Sequence, residues 1–324
     1  MPKVSVVIPT YNRAHLIGET IRSVLDQTYR DFEVIVIDDG STDNTCDIVS
    51  AFSVRYHQQV NLGAPAARNK GIELSSGEYV AFLDSDDVLL RRALERGIFI
   101  LDSYPEAGFS YGQAYLVDEK GRIVGLKKSS FLDRSCIVDG KELVKETLST
   151  YRATLSAVMV RRSCLDKVGG FKEVMQNFAE DLDLIVRLAK RYSAAYIAEP
   201  LVNYRVHPGS VSRNVDPKAA ERAYHLILKE IFEDAAISPY FEPWRSRAYS
   251  NYYRIIASYA YGKDMKLVRH YLGKALVVRP GSLLHKEGLS TAFIYAKSFL
   301  PRRFRLGLRH IKSHLVCSHQ HVTE

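Results

Sequence analysis

The chain has 324 residues, 46% of them hydrophobic and 25% charged, enough apolar surface for a packed core and too much for a disordered chain. Its four cysteines, Cys46, Cys136, Cys164 and Cys317, lie far apart with no CxxC pair, which argues against a disulfide framework or a zinc site and for a reducing cytoplasm. The formal net charge is +8, and the basic excess gathers late: Lys297, Arg302, Arg303, Arg305, Arg309 and Lys312 fall between Glu287 and Glu324, where no acid intervenes.

The N-terminal MPKVSVVIP enters strand-like sequence at once, without a charged leader or cleavage site, and no apolar run approaches the roughly 20 residues of a membrane span. Val4 to Ile8 reads as a buried strand, followed by a helical pattern from Ala14 to Gln27 with Leu16, Ile17, Ile21, Val24 and Leu25 on one side. Phe32 to Ile37 forms a second strand that stops at Asp38-Asp39-Gly40-Ser41, with Thr42 or Asp43 set to cap a helix over Asn44 to Phe52. A third strand around Val54 to His57 leads to an Ala-rich helix, Pro65 to Leu74, and then to Tyr79–Leu83, an apolar run ending in Asp84, Asp86 and Asp87.

Carboxylates crowded at the mouth of a core repel one another, so a hard cation between them, Mg2+ or Mn2+, accounts for the pattern. The competing reading is a solvated turn in which Asp87 or Ser85 caps the next helix. Strands alternating with helices predict an α/β fold with a mainly parallel central sheet, and in such sheets ligands bind at the carboxyl ends of the strands. Tyr11, Asp39 and the Asp84 to Asp87 cluster are then expected in one crevice. The chain has neither GxGxxG after the first strand nor GxxxxGK[ST], which counts against a dinucleotide fold and a P-loop.

The motifs VSVVIPTYNR, VIVIDDGSTDNT, GAPAARNKGI and GEYVAFLDSDD, in this order, resemble family 2 glycosyltransferases, whose nucleotide-sugar domain has the GT-A fold; the likeness covers roughly residues 3–212. The resemblance implies that Asp39 hydrogen-bonds the base, uracil for a UDP-sugar donor, and that Thr10 and Tyr11 line the same pocket. It also implies that Asp86 holds the metal bridging the diphosphate, with Asp84 and Asp87 on the metal, ribose or sugar. A carboxylate can accept the uracil imide N–H and an aromatic ring offers a stacking face, although Tyr11 also suits ordinary strand-end packing. Asp38 reads as a structural cap and Asn69 as a loop-fixing amide. Arg68 either approaches the diphosphate or pairs with an aspartate.

Beyond Tyr104, the runs Phe109 to Val117 and Ile123 to Leu126 flank the turn Asp118-Glu119-Lys120-Gly121, predicting antiparallel structure added to the parallel half. Ala157 to Val160 is a further strand candidate; Gly169-Gly170 then ends a short helix, with Phe171 turned inward. AEDLDLIVRLA opens a helix with Leu184, Ile185 and Leu188 toward a core, and Arg187 is expected to pair within the fold. Acids in a first turn suit the helix dipole, but the phrase also matches the family's second acidic motif. That match makes Asp181 the candidate general base, with Glu180 and Asp183 as substitutes. YRVHPGS follows the family pattern in which a histidine reaches the metal or diphosphate, here His207; neutral imidazole suits such a site.

These readings divide the chain into a catalytic domain over residues 1–214, with a donor half to about 104 and an acceptor half from 105, and a basic helical region over 215–324. In that region helices are expected over Ala219 to Asp234, Pro243 to Tyr261 and Met265 to Val278. The resemblance implies an inverting, metal-dependent transferase that moves a sugar to a glycan or lipid-linked acceptor in surface polysaccharide or glycolipid synthesis. The segment Leu289 to Leu315 either docks on the protein or lies on the inner, anionic face of the membrane. No nucleic-acid motif accounts for its charge. Two rival functions stay open: a sugar nucleotidyltransferase, which needs a glycine-rich basic loop where PTYNRAHL stands, and a silent scaffold that keeps the fold.

Overall fold

The computed structural model describes residues 1–130, 132–149, 153–175, 178–207, 215–281 and 294–296. The basic residues from Lys297 to Lys312, and nearly all of the Leu289 to Leu315 segment, lie outside the described residues.

The first elements are β1 (Val4–Thr10), α1 (Ile17–Leu25), β2 (Phe32–Asp38), α2 (Thr45–Ser50), β3 (Arg55–Gln58), α3 (Ala64–Leu74) and β4 (Tyr79–Phe82). After them come β5 (Val88–Leu89), α4 (Ala93–Ser103), β6 (Ala107–Val117), β7 (Ile123–Lys127), β8 (Cys136–Val138), α5 (Gly140–Ser149), β9 (Val158–Arg161), α6 (Arg162–Val168), α7 (Glu180–Ala189) and β10 (Ser193–Arg205). Among the described residues the sheet runs β3-β2-β1-β4-β9-β6-β10-β5, with β7 paired to β6 and β8 to β10. The pairs from β3 to β4, and β6 with β10, are parallel; β9 is antiparallel to both its neighbours, and β7, β8 and β5 also pair antiparallel.

Alternation along the strands explains why helices cover both faces. Val34 and Val36 of β2 pack with Val4, Val6 and Ile8 of β1 and with Ile17, Ile21 and Val24 of α1, whereas Ile35 and Ile37 pack with Ala67 of α3 on the other face. Gly71 lets α3 lie close on the sheet, since a Cβ there would stand 2.1 Å from Cγ1 of Val7. Of two local expectations, Asp43 at the start of the second helix is met and Asp87 as a cap is not. α2 begins after Asn44, whose side chain makes no cap, and Asp43, one of the two expected, takes the Thr45 N–H at 3.0 Å. Asp87 caps no helix, because β5 follows it and α4 starts only at Ala93.

The chain divides into two compact units, one of Met1–Val144 with Arg152–Pro208 and one of Lys145–Tyr151 with Gly209–His321. The sequence had no signal for 145–151 joining the second; there the Asn251 amide donates to the carbonyls of Leu148 and Ser149 at 3.3 Å. That unit holds α8 (Pro217–Phe232), α9 (Ser238–Phe241), α10 (Arg245–Ala260) and α11 (Met265–Val278). Asp216 and Asp264 cap α8 and α11, and Glu221 accepts from Tyr271 and Lys274 in a tyrosine-rich interior. Among the described residues no helix is long and apolar enough to cross a membrane.

Candidate active site

Strand direction gathers the site. β1, β2 and β4 run the same way, so Tyr11, Asp39 and the loop 84–87 follow them at one edge of the sheet. β9 runs against β4, while β6 and β10 run with it, which brings Ser156, the turn after Val117 and the Arg205–His207 end of the last strand to the same edge.

Asp39 is buried, and its carboxylate accepts the backbone N–H groups of Leu62 (2.9 Å) and Gly63 (2.7 Å) and the Gln59 amide (2.8 Å). It thereby fastens the loop after β3, and of the roughly four acceptor positions of a carboxylate one is left over for a ligand N–H. The Thr10 hydroxyl is 3% exposed and has no hydrogen-bond partner among the described residues, a condition that a ligand in the crevice would relieve. Tyr11 stands 45% exposed, so its ring is not packed into the strand end. The next residue, Asn12, adopts φ 51°, a left-handed conformation that asparagine tolerates. It is latched to the loop after β2 by Asn12 N–H to Ser41 Oγ (2.9 Å) and Thr42 N–H to Asn12 Oδ1 (2.8 Å). Asp38 is structural, accepting from Ser41 N–H and the Tyr56 hydroxyl.

The acids after β4 have three different environments. Asp87 is buried; Ser156 Oγ donates to it at 2.6 Å and the Arg205 N–H at 3.0 Å. Burial, and then the charges of Asp86 and Asp84, push its carboxyl well above the ordinary range, against these two hydrogen bonds. Asp84 accepts Arg68 Nη2 at 2.7 Å. Asp86 Oδ2 lies 3.1 Å from His207 Nε2, with Arg13 Nε at 3.8 Å. Arg205 holds this loop from the last strand, donating to the Asp86 carbonyl and to Glu19, and Thr20 of α1 donates to the carbonyls of Ser85 and Asp87.

A divalent cation fits part of this set. Neighbouring ligands of an octahedral ion with bonds of about 2.1 Å stand about 3.0 Å apart, close to the Asp86–His207 separation. Among the described residues no three His, Cys, Asp or Glu form a metal cage by themselves. A Mg2+-type ion takes one or two protein ligands and completes its shell with phosphate oxygens and water. Asp84, expected beside the metal, gives one of its two oxygens, Oδ1, to Arg68.

Arg68 is the joint between the two acidic motifs. It is buried on α3, over the Phe171 ring, with Nη2 on Asp84 and Nη1 on Glu180 Oε1 at 2.8 Å. Of its two expected roles, the pairing with an aspartate is present in the structure. Burial opposes its charge, but the two carboxylates raise its pKa further, so it stays a cation. Burial pushes the Glu180 carboxyl up, Arg68 opposing and Asp181 adding to it. Asp183 is also spoken for, by Lys172 at 3.0 Å and Arg187 at 2.7 Å. Asp181 remains half-exposed in the first turn of α7, its Oδ1 on the Leu182 N–H. Asn69 fixes the neighbouring loop by exchanging two hydrogen bonds with the backbone of Phe171.

Several site residues had escaped the sequence reading. Arg13 and Arg205 sit inside recognised motifs and could have been weighed there, whereas Ser156 and Lys127 carry no sequence signal. Lys127 is half-buried on β7, opposite Ala114, and its charge interacts with Asp181 and Asp87.

The sequence model of the family described as Glycosyl transferase family 2 matches residues 5–169. The poly(ribitol-phosphate) beta-N-acetylglucosaminyltransferase TarP of Staphylococcus aureus is 31% identical over 76% of this chain and 76% of its own. The GalNAc(5)-diNAcBac-PP-undecaprenol beta-1,3-glucosyltransferase of Campylobacter jejuni is 28% identical over 86% of this chain and 90% of its own. The crystal structure of S. aureus TarS 1-349 in complex with UDP-GlcNAc superposes with a TM-score of 0.68 at 21% identity, covering 95% of this chain and 91% of that one; the likeness is one of fold. In Rickettsia felis and Rickettsia conorii, glycosyltransferases 30% and 29% identical align over 74% of this chain but only 38% of their own length.

Proposed function

The chain belongs to glycosyl transferase family 2, and we propose on that premise that it transfers a sugar, with inversion, from a UDP-sugar to a hydroxyl of a glycan or lipid-linked acceptor in surface polysaccharide or glycolipid synthesis. The observation that carries this reading is the Arg68 bridge. One guanidinium spans Asp84 of the strand-end acids and Glu180 of the second acidic motif, so Asp181 follows directly on a residue tied to the donor side. A base and a leaving-group site side by side are what a direct displacement needs.

In this reading Asp39, Thr10 and Tyr11 take the base, and the TarS complex with UDP-GlcNAc supports uridine there. Asp86 and His207 would hold a Mg2+ or Mn2+ ion, which would supply positive charge to the leaving diphosphate. Asp84 and Asp87 line the floor beneath the ribose and sugar, held by Arg68 and Ser156. The Asp181 carboxylate accepts the proton of the attacking hydroxyl as the new bond to the anomeric carbon forms and the bond to the diphosphate oxygen breaks on the opposite side. No covalent enzyme intermediate forms. The Campylobacter enzyme, whose named acceptor is linked to undecaprenol, supports a lipid-linked acceptor and hence a place at the cytoplasmic membrane face, reached through the basic tail.

The test is UDP release and thermal shift across a panel of UDP-sugars, with Mn2+, Mg2+ or EDTA. One donor should raise the melting temperature and yield UDP only with metal. No shift and no release with any donor would sink the proposal. Sedimentation with anionic vesicles at low salt, for the full chain and one ending at Leu284, tests the membrane contact; equal behaviour dismisses it.

A further inference from the structure

Lys127 is placed in a way that folding alone does not explain. It sits at the inner end of β7 on the hairpin that follows β6, and its ammonium carries three donors. Its one hydrogen bond among the described residues is to the Ala153 carbonyl, at 3.3 Å, and the Tyr204 ring lies 5.3 Å from Nζ. No carboxylate forms an ion pair with it among the described residues, although the charges of Asp181 and Asp87 act on it from a distance. Burial lowers its pKa and those two acids oppose the drop. Next to Ala153, the Thr154 hydroxyl is 4% exposed with no partner among the described residues. Half-burying an ammonium with one long hydrogen bond and one ring contact is costly.

We propose that Lys127 is a specificity residue on the acceptor side, donating hydrogen bonds to an anionic group, a carboxylate or a phosphate, carried by the acceptor next to the hydroxyl that attacks. This rests on the glycosyl-transfer reading above and deepens it. The crevice is already rich in acids, with Asp84, Asp86, Asp87 and Asp181 at one edge, and a donor diphosphate adds more negative charge. Arg68 and Arg205 are committed to carboxylates and backbone carbonyls of the fold, and Arg13 lies on the Asp86 side. Among the described residues, Lys127 is thus a cation whose charge acts on Asp181 and which keeps donors to spare. A negatively charged acceptor meets an unfavourable field in this crevice unless such a cation receives it. A neutral acceptor would leave the ammonium as poorly satisfied as before.

The experiment compares wild type, Lys127→Gln and Lys127→Arg, each checked for folding by its melting temperature. Two acceptor pairs, p-nitrophenyl β-D-glucuronide against p-nitrophenyl β-D-glucoside and ribitol 5-phosphate against ribitol, separate a carboxylate from a phosphate source. Wild type should prefer the anionic member of one pair by about 10- to 100-fold in kcat/KM, the worth of a charge-assisted hydrogen bond. In Lys127→Gln that ratio should fall to near one, mainly through KM for the anionic member, and Lys127→Arg should recover part of it. A wild-type enzyme that discriminates in neither pair, or a preference unchanged in Lys127→Gln, overturns the role of Lys127. Transfer falling equally on both members overturns it too, since that marks a merely structural lysine. Failure of wild type even to release UDP from any donor overturns the glycosyl-transfer reading itself, a different result from lost discrimination.

Discussion

The two halves of the first unit hold their acids by different chemistry. Along β1 to β4 the carboxylates are fixed chiefly by neutral donors: Glu33 by the hydroxyls of Ser5 and Ser76 and the Ser76 N–H, with Arg55 at its exposed side, and Asp39 by two backbone N–H groups and an amide. Around α7 they are fixed by cations, Glu180 by Arg68 and Asp183 by Lys172 and Arg187. Neutral donors orient a carboxylate and leave its charge for a ligand, whereas a guanidinium consumes it. Asp181 lies between these two, with Glu180 paired to Arg68 of α3 and Asp183 to Lys172 and to Arg187 of its own helix.

That contrast breaks most sharply at Asp181 itself. Asp181→Asn keeps the shape and removes the proton acceptor, so kcat should fall about 10^2- to 10^4-fold while the donor still binds. Isothermal titration of the donor beside a turnover assay reads both, and wild-type turnover would hand the base to another group. Next in size is Arg68→Met, which strands Glu180 in the interior and should cost about 3–5 kcal/mol in urea unfolding, the usual penalty for breaking a buried pair. Adding Glu180→Gln to Arg68→Met should recover part of that loss. A double variant no better than Arg68→Met alone would mean that Glu180 is not what Arg68 neutralises.

How much of this could be read from the letters follows from the same division. The donor half was legible because each strand end carries its own acid and the chain returns to the same edge after every helix, so a local pattern of period and punctuation places Asp39 and Asp84. The acceptor half was legible only where a motif was recognised, as at Asp181 and His207. Arg68 meets Glu180, and Ser156 meets Asp87, across long stretches of chain, and no local rule pairs them. The competing reading of Asp87 as a helix cap fails for a physical reason: the two-residue strand β5 pairs with β10 before α4 begins, and the carboxylate is buried.

The acid limb of stability separates the halves by sign. Burial disfavours the charged form of Glu33, yet the hydrogen bonds from Ser5 and Ser76 and the contact with Arg55 outweigh it and hold the carboxyl at about 2, below its usual 4.5. Because the folded value is depressed, the contribution is present above the unfolded pKa and lost as the pH falls toward 2. Glu33→Gln should therefore cost on the order of 2 kcal/mol at neutral pH and progressively less on acidification below pH 4.5, as followed by urea melts. Glu180 carries the opposite sign: its raised value makes its contribution greatest in acid and lost as the pH rises, so Glu180→Gln should gain on wild type with rising pH. Parallel profiles for the two variants would erase the distinction.

The smallest effect is expected at a pair that looks, in outline, like the Arg68 bridge. Arg96 of α4 meets Glu199 of β10 with Nη2 to Oε1 at 2.8 Å and Nε to Oε2 at 3.2 Å, again a helix of the first half tied to an element of the second. The geometry is bidentate and better formed than many, but the side chains are 34% and 50% exposed, against 6% and 10% for Arg68 and Glu180. Water already solvates both charges, so little is lost when one is removed. Arg96→Ala should shift urea stability by no more than about 1 kcal/mol, and the shift should shrink further in high salt. A loss as large as that of Arg68→Met would mean that joining the halves, rather than burying the charge, is what makes such a bridge matter.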